Sequence, residues 1–186
     1  MDQPRLRRMA TEPANVPANH STAASTFLVM GPSGCGKTTI GRILAKHLRI
    51  GFIDADDFHG SQNRAKMASG IPLDDDDRLP WLIRLNGELL RRQQRGDSVV
   101  IACSALKESY RKNLFRKVLD PVIIWLDCSP AVLSRRLTER TDHFMPPELL
   151  QSQLDTLEPP TTSIRIDGDL SEKQIVRTIE DALAIR

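Results

Sequence analysis

Gly31-Pro32-Ser33-Gly34-Cys35-Gly36-Lys37-Thr38 is the stretch that decides the fold of this 186-residue chain. It matches the phosphate-loop pattern G-x-x-x-x-G-K-[ST] at every fixed position, with a β-prone run before it and a helical pattern after it. Glycines let the main chain curl so that successive N–H groups face one anion, and the positive end of the helix points to the same place. All eight residues are therefore predicted to bind the phosphates of a nucleotide. Lys37 is expected at the β- and γ-phosphates, and the Thr38 hydroxyl is expected to ligate Mg²⁺.

The composition is that of a single soluble domain, with 40% hydrophobic and 27% charged residues. A net charge of +2 gives no general electrostatic reason to expect nucleic acid or a membrane surface as a partner. The three cysteines show no C-x-x-C spacing, so neither a zinc site nor a disulfide framework is indicated, and a reducing cytoplasmic location fits. Residues 1–25 are interpreted as a disordered leader, with a transit peptide as the weaker alternative, and residues 26–186 as one domain.

Apolar runs alternate with amphipathic patterns through the whole domain. Five apolar segments are predicted strands: 26–30, 51–54, 98–103, 122–126 and 163–166. Amphipathic stripes are predicted helices that begin near Thr38, Pro80, Leu106, Pro130, Leu150 and Ile175. This order predicts a three-layer α/β fold with a parallel sheet and two excursions, near residues 58–78 and 138–150. Ligands of such sheets bind at the carboxyl ends of the strands.

Two acids, Asp54 and Asp56, follow the second predicted strand at a spacing that lets them divide two tasks. Asp54 is expected to hold Mg²⁺, and Asp56 is expected to accept a hydrogen bond from a substrate hydroxyl and orient it toward the γ-phosphate. Asp57 remains a third candidate. The alternative is that these acids only cap the next segment or face solvent.

Two longer strings are more specific than the phosphate loop. They are Lys66-Met67-Ala68-Ser69-Gly70-Ile71-Pro72-Leu73, continuing through Asp74 to Leu82, and Cys103-Ser104-Ala105-Leu106-Lys107-Glu108-Ser109-Tyr110-Arg111. With them the chain closely resembles the gluconokinase family from about residue 27 to its C-terminus. The resemblance implies a P-loop kinase fold like that of nucleoside-monophosphate kinases and shikimate kinase. It also implies ATP and Mg²⁺ as cofactors and transfer of phosphate to the 6-hydroxyl of D-gluconate, commonly by a homodimer.

Gluconate is a polyhydroxy carboxylate, so its pocket needs cations and hydrogen-bonding groups. The expected substrate residues lie in or beside the family strings: Asp56, His59, Lys66, Arg78, Ser104, Lys107 and Arg111, with Arg64 and Asn63 as further candidates. Spacing does not decide which of them touches substrate. His59 is as readily interpreted as a locally bonded loop histidine. Trp81 is interpreted as a core residue.

Arg136 and Arg140 occupy the segment where related kinases carry a closing lid, together with His143 and Phe144. Both arginines are expected to bind nucleotide, and Arg140 is expected to stabilise charge on the transferring group. The alternative is a basic, solvated helix face. The acidic run Asp74–Asp77 is interpreted as a solvated turn that caps the helix at Pro80 rather than as a metal cluster.

Two other functions remain open at this stage. Shikimate kinases also place two spaced acids after their second strand, so shikimate is an alternative acceptor. A nucleotide-dependent switch is an alternative of another class, although the N-K-x-D string that reads guanine is absent from the sequence.

Overall fold

Five strands form one sheet in the computed structural model, which describes residues 24–139 and 149–184. They are β1 (Thr26–Met30), β2 (Gly51–Asp54), β3 (Val99–Ala102), β4 (Val122–Asp127) and β5 (Ile164–Asp167). Their order is β2-β3-β1-β4-β5, and every neighbouring pair is parallel. The first strand therefore lies in the centre, as the position of the phosphate loop at its end requires.

Helices cover both faces of the sheet in the described ranges. They are α1 (Lys37–Leu48), α2 (Ser61–Ala68), α3 (Asp75–Arg95), α4 (Glu108–Leu114), α5 (Pro130–Thr138), α6 (Leu150–Thr156) and α7 (Glu172–Ala184). Successive residues of β1 point to opposite faces, so Leu28 packs in the core under α3 and α4, whereas Val29 packs in the core under α1, α5 and α7. The predicted three-layer α/β fold is confirmed.

The register brings the functional segments to one edge. Asp54 at the end of β2 pairs with Ala102 at the end of β3, and Met30 at the end of β1 pairs with Trp125. Because the strands are parallel, the phosphate loop, the acids after β2 and the segment after β3 all leave the sheet at its carboxyl edge. The first excursion contains α2 and the loop that leads into α3.

The predicted start of the third helix at Pro80 is wrong. Helix α3 begins at Asp75, after a capping box in which the Asp77 N–H donates to Asp74 Oδ1 at 2.8 Å and the Asp74 N–H donates to Asp77 Oδ2 at 3.1 Å. Acids in the first turn also favour the positive helix end. Pro80 lies in the second turn, where it forgoes a single main-chain hydrogen bond. The acidic run is thus the cap and first turn of α3.

Helix α4 begins at Glu108, so the buried Leu106, near which its start was predicted, lies just outside it. Residues 1–23 of the expected leader lie outside the described residues, as does most of the second excursion. In the described ranges, no helix has both the length and the apolar character needed to cross a membrane.

Candidate active site

The phosphate loop has a backbone shape that favours glycine at three positions, Gly31, Gly34 and Gly36, and at the first two a Cβ would also be crowded. Gly31 has φ +143°, and a Cβ there would lie 2.8 Å from the carbonyl oxygen of Leu126. Gly34 has φ +89°, and its Cβ would lie 3.2 Å from the carbonyl oxygen of Leu133. Helix α1 starts at Lys37, within the loop motif, and the Lys37 ammonium group spans the loop by donating to the carbonyl of Pro32 at 3.0 Å. Loop amides, helix terminus and ammonium group therefore converge on one site that suits an anion.

Thr38 and Asp54 form the pair of oxygen ligands that Mg²⁺ would require. The Thr38 hydroxyl donates to Asp54 Oδ2 at 2.9 Å, so the first turn of α1 and the end of β2 meet at this point. Asp54 Oδ1 accepts from the Asp56 N–H at 3.2 Å, which fixes the short 3₁₀ helix Ala55–Phe58. Among the described residues, no group of three or more His, Cys, Asp or Glu side chains could enclose a metal. Mg²⁺ commonly binds one or two protein oxygens together with water and phosphate oxygens, so this pair fits it.

Asp56 lies on the 3₁₀ helix and faces the cavity between the phosphate loop and the first excursion. Its side chain is 75% exposed to the water of that cavity. Desolvation by the surrounding walls raises the pKa of Asp56; Lys37 opposes this effect, and the charges of Asp54 and Asp57 add to it. A carboxyl group whose pKa is raised is a better proton acceptor than an ordinary aspartate, which suits a group that must take a proton from an alcohol.

The stacked rings of His59 and Trp81 lie beside Asp56. His59 is 5% exposed and lies parallel to Trp81, with ring centroids 4.2 Å apart and an interplanar angle of 16°. Burial, with the nearby charges of Arg78, Arg84 and Arg64, lowers the pKa of His59 to about 4, so the ring is neutral at physiological pH.

The hydrogen bonds of this pair fix its orientation. Asn63 Nδ2 faces His59 Nδ1 at 3.4 Å, which leaves the ring hydrogen on Nε2, 4.0 Å from Asp56 Oδ1. Trp81 Nε1 donates to the carbonyl of Ala55 at 2.8 Å and so holds the segment that carries both acids. Trp81 is buried, as its interpretation as a core residue requires, but no pattern in the sequence predicts its hydrogen bond to Ala55.

One cavity of about 300 Å³ joins the phosphate loop to the first excursion. Four of the expected substrate residues line it: Asp56, His59, Arg78 and Ser104. Arg64 lines it as well. An apolar wall formed by Met67, Ile71 and Leu73 completes it. The cavity thus offers carboxylate, hydroxyl and guanidinium groups within reach of the phosphate loop, which suits a small, polar, anionic substrate.

Three of the expected substrate cations form ion pairs or hydrogen bonds with protein groups beside the cavity instead. Lys66 pairs with Asp77 at 2.7 Å, and Lys107 pairs with Asp75 at 2.9 Å. Arg111 is 3% exposed, and its guanidinium donates to the carbonyls of Ala105 and Leu106 and to Glu108. Direct contact of these three side chains with substrate stays a prediction.

Arg78 is held in place by the protein. One guanidinium nitrogen donates to the carbonyl of Leu73 and to the Tyr110 hydroxyl, the latter at 3.2 Å, and the Tyr110 hydroxyl in turn donates to Asp75. From the sequence, Tyr110 was missed as a support and Asp75 was not singled out from the acidic run, although both stand inside the family strings. Their role depends on contacts between α3 and α4 that spacing does not reveal.

A second cavity of about 290 Å³ lies on the other side of the phosphate loop. It is lined by Gly34, Gly36 and Thr39 of the loop and α1, and by Arg136 and Glu139 at the end of α5. This location is consistent with the expected nucleotide contact of Arg136. Arg140, His143 and Phe144 lie outside the described residues, so their expected roles remain predictions.

Cys35 is fully buried within the loop and has Cys128 as a thiol neighbour. Burial alone would raise the pKa of Cys35, but the hydrogen bond from the Cys128 thiol and the charge of Lys37 lower it to about 6. The same hydrogen bond raises the pKa of Cys128. Because all three cysteines are buried, the loop thiol is shielded from reagents in the folded protein.

A parallel sheet of this order, a phosphate loop after its central strand β1 and paired acids after the edge strand β2 define an ATP-using P-loop kinase of small molecules. The family model described as shikimate kinase matches residues 33–183.

Comparison with similar proteins identifies the family within this class of P-loop kinases. The chain is 43% identical over 181 residues to a probable gluconokinase of Mus musculus, covering 87% of this chain and 98% of the relative. It is 42% identical over 169 residues to the thermosensitive gluconokinase of Escherichia coli strain K12, covering 88% and 90%. The crystal structure of a gluconokinase from Sinorhizobium meliloti 1021 superposes with a TM-score of 0.77 at 39% identity, covering 87% of this chain and 93% of that one. The chain belongs to the gluconokinase family.

Proposed function

We propose that the protein transfers the terminal phosphoryl group of Mg·ATP to the 6-hydroxyl of D-gluconate, giving 6-phospho-D-gluconate and ADP. The observation that carries the proposal is the cavity that joins the phosphate loop to Asp56, Arg64 and Arg78. Proteins named gluconokinase at 39–44% identity over most of the chain support the same acceptor.

In this proposal the phosphate loop and Lys37 bind the β- and γ-phosphates, and Thr38 with Asp54 holds Mg²⁺. When bound, the metal neutralises charge on the phosphate oxygens and holds the leaving group in line. The contact of Thr38 Oγ1 with Asp54 Oδ2 at 2.9 Å supports the assignment, because one cation can be shared by the two oxygens. Arg136 and Arg140 would add positive charge at the transferring group.

Asp56 orients the 6-hydroxyl and accepts its proton. The hydroxyl oxygen forms the new bond to the γ-phosphorus, the bond from that phosphorus to the bridging oxygen of ADP breaks, and the hydroxyl proton goes to the Asp56 carboxylate. Neutral His59 lies beside that carboxylate, with Nε2 4.0 Å from Asp56 Oδ1. Ser104 supplies a hydroxyl to the sugar acid chain from the end of β3.

Arg64 and Arg78 are the proposed partners of the gluconate carboxylate. Both line the cavity, and Arg78 is already oriented by Leu73 and Tyr110. The acidic first turn of α3 would otherwise repel an anion. Lys66 and Lys107 neutralise two of its carboxylates, Asp77 and Asp75, at 2.7 and 2.9 Å, which reduces this repulsion.

We further propose that the protein acts as a homodimer in the cytoplasm, and that residues 1–25 lie outside the catalytic domain.

The test is ADP formation at saturating Mg·ATP with D-gluconate, with shikimate, with other sugar acids and without acceptor. The proposal predicts turnover with gluconate that exceeds turnover with shikimate by at least about 100-fold, because a site that binds a linear polyol through paired hydrogen bonds rejects a ring whose groups leave them unpaired. Comparable turnover with shikimate would refute the assigned acceptor. ADP release that is equal with and without every acceptor would refute a small-molecule kinase.

A further inference from the structure

Helix α6 contacts the phosphate loop through the side chain of Gln153. Its Oε1 accepts a hydrogen bond from the Ser33 main-chain N–H at 2.7 Å, and its Nε2 lies 3.4 Å from the Ser33 hydroxyl. Ser33 is the third residue of the loop and is 8% exposed. Both Ser33 and Gln153 line the cavity of about 300 Å³ that joins the phosphate loop to the first excursion, called the central cavity below. The amide oxygen of Gln153 thus contacts a main-chain donor inside a loop whose N–H groups serve phosphate.

A carboxamide oxygen and a phosphate oxygen compete for the same donor. A terminal phosphate that reaches the Ser33 N–H must displace Gln153 Oε1 or share the hydrogen with it, and the carboxamide NH₂ of Gln153 can then donate to the phosphate instead. Glutamine is suited to this exchange because it carries both an acceptor and a donor. A carboxylate at the same position would accept from Ser33 but would repel the phosphate.

The segment that follows α6 is attached to the acceptor side of the cavity. The Glu158 N–H donates to the carbonyl of Leu106 at 3.0 Å, and a Glu158 carboxylate oxygen accepts from the Glu108 N–H at 2.6 Å. Leu106 lines the central cavity, as do Ser152 and Thr156 of α6 itself. One short helix therefore touches the phosphate loop at Gln153 and the acceptor wall at its other end.

We propose that Gln153 is a positioning residue that couples nucleotide binding to acceptor binding, an inference that rests on the proposed function for the identity of the acceptor. The terminal phosphate takes the place of Gln153 at the Ser33 N–H, and α6 moves with the released side chain. Acceptor contacts to Ser152 and Thr156 favour the same position of α6. Each ligand then lowers the cost of binding the other, so the coupling is positive and reciprocal.

The experiment measures the Kd of D-gluconate by calorimetry with and without a non-hydrolysable ATP analogue and Mg²⁺. In the wild-type protein the analogue is expected to lower the Kd of gluconate by at least about fivefold. In Gln153→Met, which keeps the side-chain length but loses both polar groups, the two Kd values are expected to agree within about twofold. Gln151→Ala is the matched control, because Gln151 lies on the same helix, is exposed and pairs only with Asp155 among the described residues; it is expected to keep the wild-type coupling.

Fivefold coupling that persists in Gln153→Met, or its absence in the wild-type protein, would overturn the proposal. Thermal unfolding of each variant without ligand identifies one that fails to fold. In that case Gln153→Glu replaces it, because its carboxylate keeps the bond to Ser33 and is expected to raise the Kd of the analogue about tenfold. Absence of gluconate binding in the wild-type protein under both conditions would refute the proposed acceptor instead. The Kd of the analogue in Gln153→Glu still tests the loop contact then, and an unchanged value would overturn it.

Discussion

Trp81→Phe tests whether the hydrogen bond from Trp81 to Ala55 determines the positions of Asp54 and Asp56. The substitution keeps an aromatic ring but removes the Nε1 donor, which leaves the carbonyl of Ala55 without its 2.8 Å hydrogen bond. Removing the hydrogen-bond partner of a buried carbonyl costs about 1–3 kcal/mol, so we expect a loss of about 2 kcal/mol in the free energy of unfolding. For a protein of this length that loss lowers Tm by about 4–8 °C.

The catalytic effect follows from the same bond. Ala55 stands between Asp54 and Asp56, so a relaxed carbonyl allows both carboxylates to shift, and displacements of about 1 Å can cost up to about 100-fold in rate. We expect kcat to fall about tenfold while the KM for ATP changes less than about threefold, because the phosphate loop is untouched. The assays are thermal unfolding and steady-state ADP formation.

Trp125→Phe is the matched control, since the chain has two tryptophans. Trp125 is 8% exposed, and its Nε1 has no hydrogen-bond partner among the described residues. Removing that donor is expected to change the free energy of unfolding by no more than about 1 kcal/mol and to leave kcat unchanged. Equal effects of the two substitutions on stability and on kcat would refute the role assigned to Trp81.

Other substitutions test the remaining site residues. Asp56→Asn is expected to lower kcat by about 10²–10⁴-fold with little change in the Kd of ATP. It should also remove the acidic limb of the pH profile of kcat/KM, which the raised pKa of Asp56 places above the usual carboxylate range. Near-normal turnover would remove Asp56 from the mechanism. Lys37→Ala is expected to abolish transfer, and an active variant would contradict the phosphate site. Because burial holds the pKa of His59 at about 4 against an ordinary 6.5, the unfolded chain binds the extra proton between these values. The stability contributed by neutral His59 is therefore complete above pH 6.5 and is lost as pH falls toward 4. His59→Gln should make the free energy of unfolding, measured with denaturant, less dependent on pH across this range. An unaltered pH dependence would contradict the role of His59.

The fold was largely predictable because its signals are local. The five strands appear within a residue or two of their predicted bounds, since each is an apolar run flanked by breakers, and the loop motif identifies the central strand. The start of α3 was misplaced because Pro80 is a strong helix-start signal, whereas the capping box at Asp74 and Asp77 lies in a run of four acids that also suits a solvated turn.

The site was predictable only in part, because charge type does not reveal pairing. Thr38 and Asp54 were expected together and meet in the structure. Lys66, Lys107 and Arg111 were expected to face substrate. In the structure Lys66 and Lys107 pair with acids in the first turn of α3, and Arg111 donates to the carbonyl of Leu106 just before its own helix. Gln153 carried no signal, since its partner Ser33 lies 120 residues away and the contact depends on how α6 packs.

The central claim is an in-line transfer from ATP to a sugar-acid hydroxyl that Asp56 orients. Phosphorus NMR of the reaction with Mg·ATP and D-gluconate tests it most directly, because the product's phosphorus couples to the protons of the carbon that bears it. We expect a phosphomonoester signal coupled to the two C6 protons, formed in step with ADP and at least about 100-fold more slowly by Asp56→Asn. Inorganic phosphate as the sole product, or an ester on another carbon, would contradict the account.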